Sequence, residues 1–374
     1  MNRREFLKYV TVLGASATLG KTSAYANWLT NKKRGGFPQG MLLIDAHAHP
    51  DQLYYMGLRE GPQWETWCSQ YCDDSSTLEK IKQIGMHGSG FAAIGDTKNT
   101  GLNWEQAMSQ MEKVIDLENK GLVRIIRRHK DMPRGAPPKG YIPGAILSLE
   151  GAFSLGENEE TIFTNLENFY RIGGRMITLM HYRDNHFGYA MRSGQVNNDD
   201  TGVTHLGEIA VERMMELGII VDVAHAHYYT LKDIKDIAVA NNIPLIDSHT
   251  SLSSCEELCG GRLRIWEEME MVAETGGMVC TWPLSWVSPT YNLSRQSILD
   301  WAKENLEIAR EIGFEHIGLG TDGGGGLPEL VDGYTSILDL PKLVVAMDEV
   351  GFKRSEIEAY MGGNLLRVIK KCIG

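Results

Sequence analysis

Five histidines and two acids stand at the ends of apolar runs in this sequence, and residues of these types brought together would form a site for divalent cations. The first pair lies in residues 41–51, MLLIDAHAHPD. Four apolar residues there read as a short buried strand, and His47 and His49 follow two apart, on one side of an extended chain. Two imidazoles projecting from one strand tip have metal-ligand geometry; the stretch by itself reads equally well as a polar loop. Later runs repeat the arrangement: GAILSLEG carries Glu150 near its end, while RMITLMH closes on His181, IIVDVAH on His225, IPLIDSH on His249 and HIGLGTD on Asp322. Clustered unpaired polar and charged groups are costly to hold together, whereas divalent ions satisfy them. Imidazole and carboxylate without thiolate favour zinc, with manganese, iron and cobalt as the other candidates.

The elements that must position these residues follow from the same alternation. Apolar runs at 88–94, 122–128, 144–151, 175–181, 219–225, 243–249, 277–282 and 316–322 read as strands. Amphipathic segments at 104–120, 160–171, 206–217, 229–241, 266–275, 296–312, 340–350 and 354–369 read as helices, with Gly218 as a stop. Residues 52–84 read as loop plus helix covering the site. Strands separated by helices pair in parallel through βαβ units, and about eight of them predict an α/β fold, a closed (β/α)8 TIM-type barrel. In such a barrel the C-terminal strand ends ring one mouth, so all seven residues would meet there.

The chain of 374 residues, 43% apolar and 23% charged, is long enough for one such barrel or two modest domains. A formal charge of −11 without blocks of like charge argues against nucleic-acid binding and for a small-molecule substrate. Residues 1–26 read as a twin-arginine export signal: Arg3 and Arg4 lead a mildly apolar run, too short and too polar to span a bilayer, that ends at Ala24-Tyr25-Ala26. Residues 27–374 would then be a single barrel domain, periplasmic or secreted in a bacterium, with no stable membrane insertion after cleavage and a homodimer as the candidate assembly. Of the six cysteines, Cys68/Cys72 and Cys255/Cys259 are spaced i, i+4. On a helix such a pair is poorly placed for a bridge, so buried thiols or one long-range disulfide are expected, with no pairing assigned.

The run of motifs resembles the membrane (renal) dipeptidase-type zinc peptidases of the amidohydrolase superfamily. The resemblance extends from the His47 stretch to Gly362-Gly363-Asn364-Leu365-Leu366-Arg367-Val368, which is similar to that family's C-terminal signature. It implies two divalent cations, one held by His47 and His49 and the other by His225 and His249, with Glu150 bridging them. It also implies His181 beside the scissile carbonyl, Asp322 as acid/base, and Arg262 as the anchor for the substrate's carboxylate, with Arg264 an alternative register. Two cations sharing a water would supply a bridging hydroxide near neutral pH for attack on a dipeptide. Two departures stand out. The family usually has Asp where this chain has His49, and Asp-Phe-Asp-Gly where Asp322 is followed by Gly323–Gly326. A flexible glycine run there would widen the mouth, which keeps open another amidohydrolase acting on N-acyl amino acids, lactams or lactones. A metal- or peptide-binding protein on a decayed barrel is the third reading, and Asp322, dispensable for binding alone, speaks against it. Of the remaining candidates, Asp45 would orient a ligand imidazole, His227 would sit behind the ligands or in solvent, His186 lies in a loop, and Trp282 and Trp286 are candidates for the rim.

Overall fold

Short apolar runs become strands here because each buries one face inside a barrel and the other beneath helices. The computed structural model describes residues 40–135, 137, 140–191, 202–253, 263–288 and 293–374. Strands β1 (Ile44–Asp45), β2 (Gly88–Ile94), β4 (Gly144–Glu150), β5 (Met176–Thr178), β6 (Ile220–Asp222), β7 (Ile246–Thr250), β8 (Met278–Thr281) and β11 (Ile317–Leu319) pair in parallel in that order. The loop closes between first and last: the Ala46 N–H donates to the Leu319 carbonyl, and the Asp322 N–H to the His47 carbonyl. This is the expected (β/α)8 barrel.

Around it lie helices α1 (Gly61–Tyr71), α2 (Leu78–Ile84), α3 (Trp104–Asn119), α4 (Glu159–Ile172), α5 (His205–Leu217), α6 (Tyr228–Asn241), α7 (Trp266–Glu274), α8 (Ile298–Ile312) and α9 (Leu340–Val350). Several begin on side-chain caps, among them Thr77, Asn103, Asn158, Thr204 and Ser297, each accepting from a backbone N–H of the first turn. One apolar cluster fills the space between helices and strands. A second takes inward residues from nearly every strand (Ile44, Ile146, Met176, Ile220, Ile246, Met278) and is closed by Leu365, Val368 and Ile369 of α11 (Asn364–Ile373). The barrel is therefore plugged at its lower end. Along β4 the inward face changes from Ile146 to Ser148 to Glu150, apolar floor to polar mouth.

Four expectations need correction. The segment read as strand 122–128 contributes only β3 (Arg124–Ile125), which pairs with β4 outside the main path. The segment read as one helix over 354–369 is α10 (Arg354–Glu358), a wider turn at Ala359–Gly363, then α11; Gly362 lies so near β1 that a Cβ there would stand 3.1 Å from Ile44. A hairpin of β9 (Trp286–Ser288) and β10 (Leu293–Arg295) was not foreseen. Cys68 and Cys72 form a disulfide, because Cys72 is the residue that leaves α1 in extended conformation, with the two Cα atoms 4.4 Å apart. Cys280 is a buried thiol as expected, while Cys255 and Cys259 lie outside the described residues, as does the segment read as an export signal. Among the described residues, no helix is long and apolar enough to cross a membrane.

Arg264 is a buried cation of the scaffold. It is 1% exposed and donates to Asp247 Oδ2 at 2.6 Å, to Glu268 Oε1 at 2.9 Å and to the carbonyls of Ala226 and Val223. Burial raises the Asp247 carboxyl to about 6 despite this guanidinium. Arg264→Leu leaves two buried acids without their cation, so a loss of about 3–5 kcal/mol is expected in denaturant unfolding.

Candidate metal centre

One carboxylate gathers the site. Glu150, the last residue of β4 and 2% exposed, places Oε1 3.6 Å from His47 Nε2, 3.6 Å from His181 Nε2, 3.2 Å from His225 Nε2 and 3.4 Å from His249 Nε2. Its Oε2 lies 3.2 Å from His49 Nε2. Asp322 Oδ1 stands 3.5 Å from His49 Nε2 and 3.9 Å from His47 Nε2. Six strand ends thus bring together all seven residues expected from the sequence. Three overlapping groups, His47/His49/Asp322, His47/Glu150/His249 and Glu150/His181/His225, each have their ligand atoms within 4.8 Å of one another.

The electrostatics follow from crowding. Burial alone would raise the Glu150 carboxyl, but His181, His47, His225 and His249 hold it well below the usual carboxylate range. Burial would lower His47, yet Glu150, Asp322 and Asp222 lift it to about 9. His249, deeply buried beside His47 and His225, is pushed well below the ordinary imidazole value. The donor atoms are imidazole nitrogens and carboxylate oxygens, buried and converging, with no thiolate among them. That is the donor chemistry of a divalent cation site.

Two of the seven residues carry backbone strain: His225 has φ 63° and Asp322 φ 49°, the left-handed region that residues with a Cβ seldom adopt. Each such residue costs of order 1–3 kcal/mol and persists only where surrounding structure demands it, commonly at functional sites. The Met191 N–H donates to the His225 carbonyl at 2.7 Å, and the Asp322 N–H to the His47 carbonyl at 2.9 Å.

Buried groups behind the ring, which the sequence reading missed, hold these side chains. Asp222 accepts from Thr178 Oγ1 at 2.5 Å and from Ser248 Oγ at 2.6 Å, and that serine lies 2.9 Å from His249 Nδ1. Asp96, just past β2, meets His181 Nδ1 at 2.7 Å. The signal was there for both, since Asp96 stands two residues past an apolar strand and Asp222 sits within one. His49 Nδ1 lies 3.1 Å from the Ala92 carbonyl.

Other expectations are revised. Asp45 orients no ring: its carboxylate accepts from the Thr321 N–H and hydroxyl, tying β1 to the end of β11. His227 is buried at the start of α6 rather than in solvent, while His186 is a loop residue as expected, beside Phe153. Trp282 is wholly buried, donating to Ser251 Oγ and packing its ring 5.3 Å from that of His249. Arg264 is bound inside the scaffold, so it is no anchor for substrate, and Arg262 lies outside the described residues. The glycine run is clamped rather than loose. The His49 N–H donates to the Gly323 carbonyl, Asp73 Oδ2 accepts from the N–H of Gly324 and Gly326, and Gln52 Nε2 donates to the Gly324 carbonyl. Gly324 has φ 84°, and a Cβ there would lie 2.3 Å from the His49 carbonyl oxygen. Glycine is required at that position for closeness, not for a wider mouth.

Known proteins resemble the chain in sequence and in fold. The chain is 32% identical over 226 residues to an uncharacterized dipeptidase of Schizosaccharomyces pombe, covering 60% of this chain and 52% of that protein. It is 26% identical over 229 residues to dipeptidase tcpJ of Claviceps purpurea, covering 61% and 50%. The chain thus spans about half the length of the curated relatives it matches. In fold it is similar to a metallo peptidase from Rhodobacter sphaeroides liganded with a phosphinate mimic of the dipeptide L-Ala-D-Ala, with TM-score 0.71, 18% identity and coverage of 89% and 99%. Residues 43–373 match the family described as membrane dipeptidase, peptidase family M19, and with nearly the whole barrel inside that match the chain belongs to this family.

Proposed function

We propose that the protein is a metal-dependent dipeptidase. The observation that carries this reading is Glu150, whose carboxylate lies within 3.6 Å of five imidazole nitrogens at the mouth of a barrel belonging to a dipeptidase family. The donor set fits two divalent cations, zinc by its chemistry, with His47 and His49 on one side of Glu150 and His225 and His249 on the other. Bound cations there would supply Lewis acidity toward a carbonyl and water acidified toward neutrality.

The remaining roles belong to the chain. Asp322, 5% exposed at the mouth, takes a proton from the attacking water and returns it to the leaving amine. His181 Nε2 faces the site beside Glu150, where the scissile carbonyl would lie. For the free carboxylate of a short substrate the family resemblance offers Arg262, whose guanidinium would suit a two-pronged hydrogen bond. Burial of the ring keeps bulk water from the reacting atoms.

The test is release of free amino acids from a dipeptide panel, abolished by a chelator and restored by zinc. A fully metallated protein that cleaves no dipeptide removes this reading. His49, where the family usually has Asp, favours one alternative, an amidohydrolase acting on N-acyl amino acids, lactams or lactones. Turnover of those substrates without dipeptide cleavage would establish it.

We also infer that residues 1–26 direct export by the twin-arginine route to the periplasm or beyond. Arg3-Arg4 and the Cys68–Cys72 disulfide, a bond that persists in oxidising compartments, support this. Replacing Arg3 and Arg4 by Lys is expected to leave the protein in the cytoplasm on fractionation; undiminished export would refute the assignment.

A further inference from the structure

Asp96 is a buried acid to which the proposed chemistry gives no part. It is wholly enclosed; Oδ1 lies 2.7 Å from His181 Nδ1, and Oδ2 has no hydrogen-bond partner among the described residues. The three strand ends that carry Asp96, Glu150 and His181 are stitched together. The Gly95 N–H donates to the Glu150 carbonyl at 2.7 Å, the Gly151 N–H to the Thr178 carbonyl at 2.9 Å, and the Ala152 N–H to the Leu179 carbonyl at 3.1 Å. Gly151 has φ 83°, and a Cβ on it would stand 3.2 Å from Asp96 Oδ1 and 3.1 Å from His181 Cβ. A side chain there would crowd both members of the pair on a left-handed backbone that favours glycine. The ring of Tyr182 closes on His181 with centroids 3.9 Å apart. The result is a fixed line, Asp96 to His181 Nδ1 and His181 Nε2 to Glu150 Oε1, at 2.7 and 3.6 Å.

We propose that Asp96 is the positioning residue of His181: its carboxylate accepts the Nδ1–H, fixing ring orientation and tautomer so that Nε2 is the atom presented to the reaction. A brace serving stability alone would be better made by a group that leaves no buried oxygen unpaired, since an unsatisfied buried acceptor costs about 1–3 kcal/mol. A carboxylate beside an imidazole N–H is instead the means by which proteins select which ring nitrogen acts.

The proposal rests on the dipeptidase reading, and the experiment separates the two. In the zinc-loaded full chain, Asp96→Asn and Asp96→Ala are expected to lower kcat by about 10–100-fold, with KM and zinc content essentially unchanged. Nitrogen-15 histidine NMR, with His181 assigned through His181→Gln, is expected to show its proton on Nδ1, shifted far downfield in the wild type and displaced in Asp96→Ala. A wild-type His181 protonated on Nε2 alone overturns the proposal. So does an Asp96→Ala enzyme with wild-type kcat, or a loss of kcat that merely tracks loss of zinc. Should Asp96→Ala fail to fold, the wild-type spectrum and Asp96→Asn decide. If the metallated wild type releases no amino acid from any dipeptide, the functional reading fails while the tautomer measurement still judges Asp96.

Discussion

Glu150→Gln is expected to abolish dipeptide hydrolysis and to empty the site of metal together. The substitution keeps volume and shape, so β4 and its neighbours should pack as before. What it removes is the negative charge on which five imidazoles converge. That charge is secure in the folded protein, because the surrounding histidines hold the carboxyl far below its usual range even though burial works the other way. A neutral amide can bridge cations only weakly, and its NH2 would aim donors at nitrogens that need their lone pairs for metal. Cation chemistry of this kind contributes several kcal/mol to the transition state, so kcat/KM should fall about 10³-fold or more. Amino-acid release read alongside metal analysis checks this. A Glu150→Gln enzyme that keeps both its metal and a tenth of its activity would show that another group gathers the site.

The sequence revealed this centre because barrel chemistry sits at strand ends, where an apolar run gives way to one polar residue. His181, His225, His249 and Asp322 each close such a run, Glu150 stands one residue from the end of its own, and the pattern needed no knowledge of how the strands close. The supporting groups were harder to read. Asp222 lies inside the same run as His225, where an acid looks like a flaw in a strand, and its role emerges only when β5 and β7 bring Thr178 and Ser248 to it. Asp96 acts across a gap of 85 residues. The glycines after Asp322 read as slack because glycine is locally permissive; their restraint comes from Asp73 and Gln52, more than 250 residues away. The Cys68–Cys72 bridge was misjudged for a local reason. An i, i+4 pair is badly set only while both residues stay helical, and Cys72 does not. Arg264 shows that composition cannot separate a substrate anchor from a buried cation: only the position of Asp247 and Glu268 shows which it is.

Asp322→Asn is expected to separate proton transfer from metal binding. Asp322 is grouped with His47 and His49 closely enough to be a ligand, yet it lies farther from Glu150's neighbours than they lie from Glu150, with Oδ1 at 3.5 and 3.9 Å from the two imidazoles. Its carboxylate folds back over its own turn. A Cβ on Gly325 would come within 2.1 Å of Oδ1, so glycine at 325 is what lets the acid lie there. Asn tolerates left-handed backbone about as well as Asp, and the Asp322 N–H bond to the His47 carbonyl does not involve the side chain, so the loop should be preserved. The amide oxygen can still approach a cation, but the group can neither take a proton from water nor return one to an amine. Loss of a positioned general acid/base lowers turnover by about 10²–10⁴-fold. That fall should appear in kcat, with metal content intact and KM little changed. Metal leaving in step with activity would make Asp322 a ligand, and retention of more than a tenth of kcat would pass the proton-transfer role to another residue of the mouth.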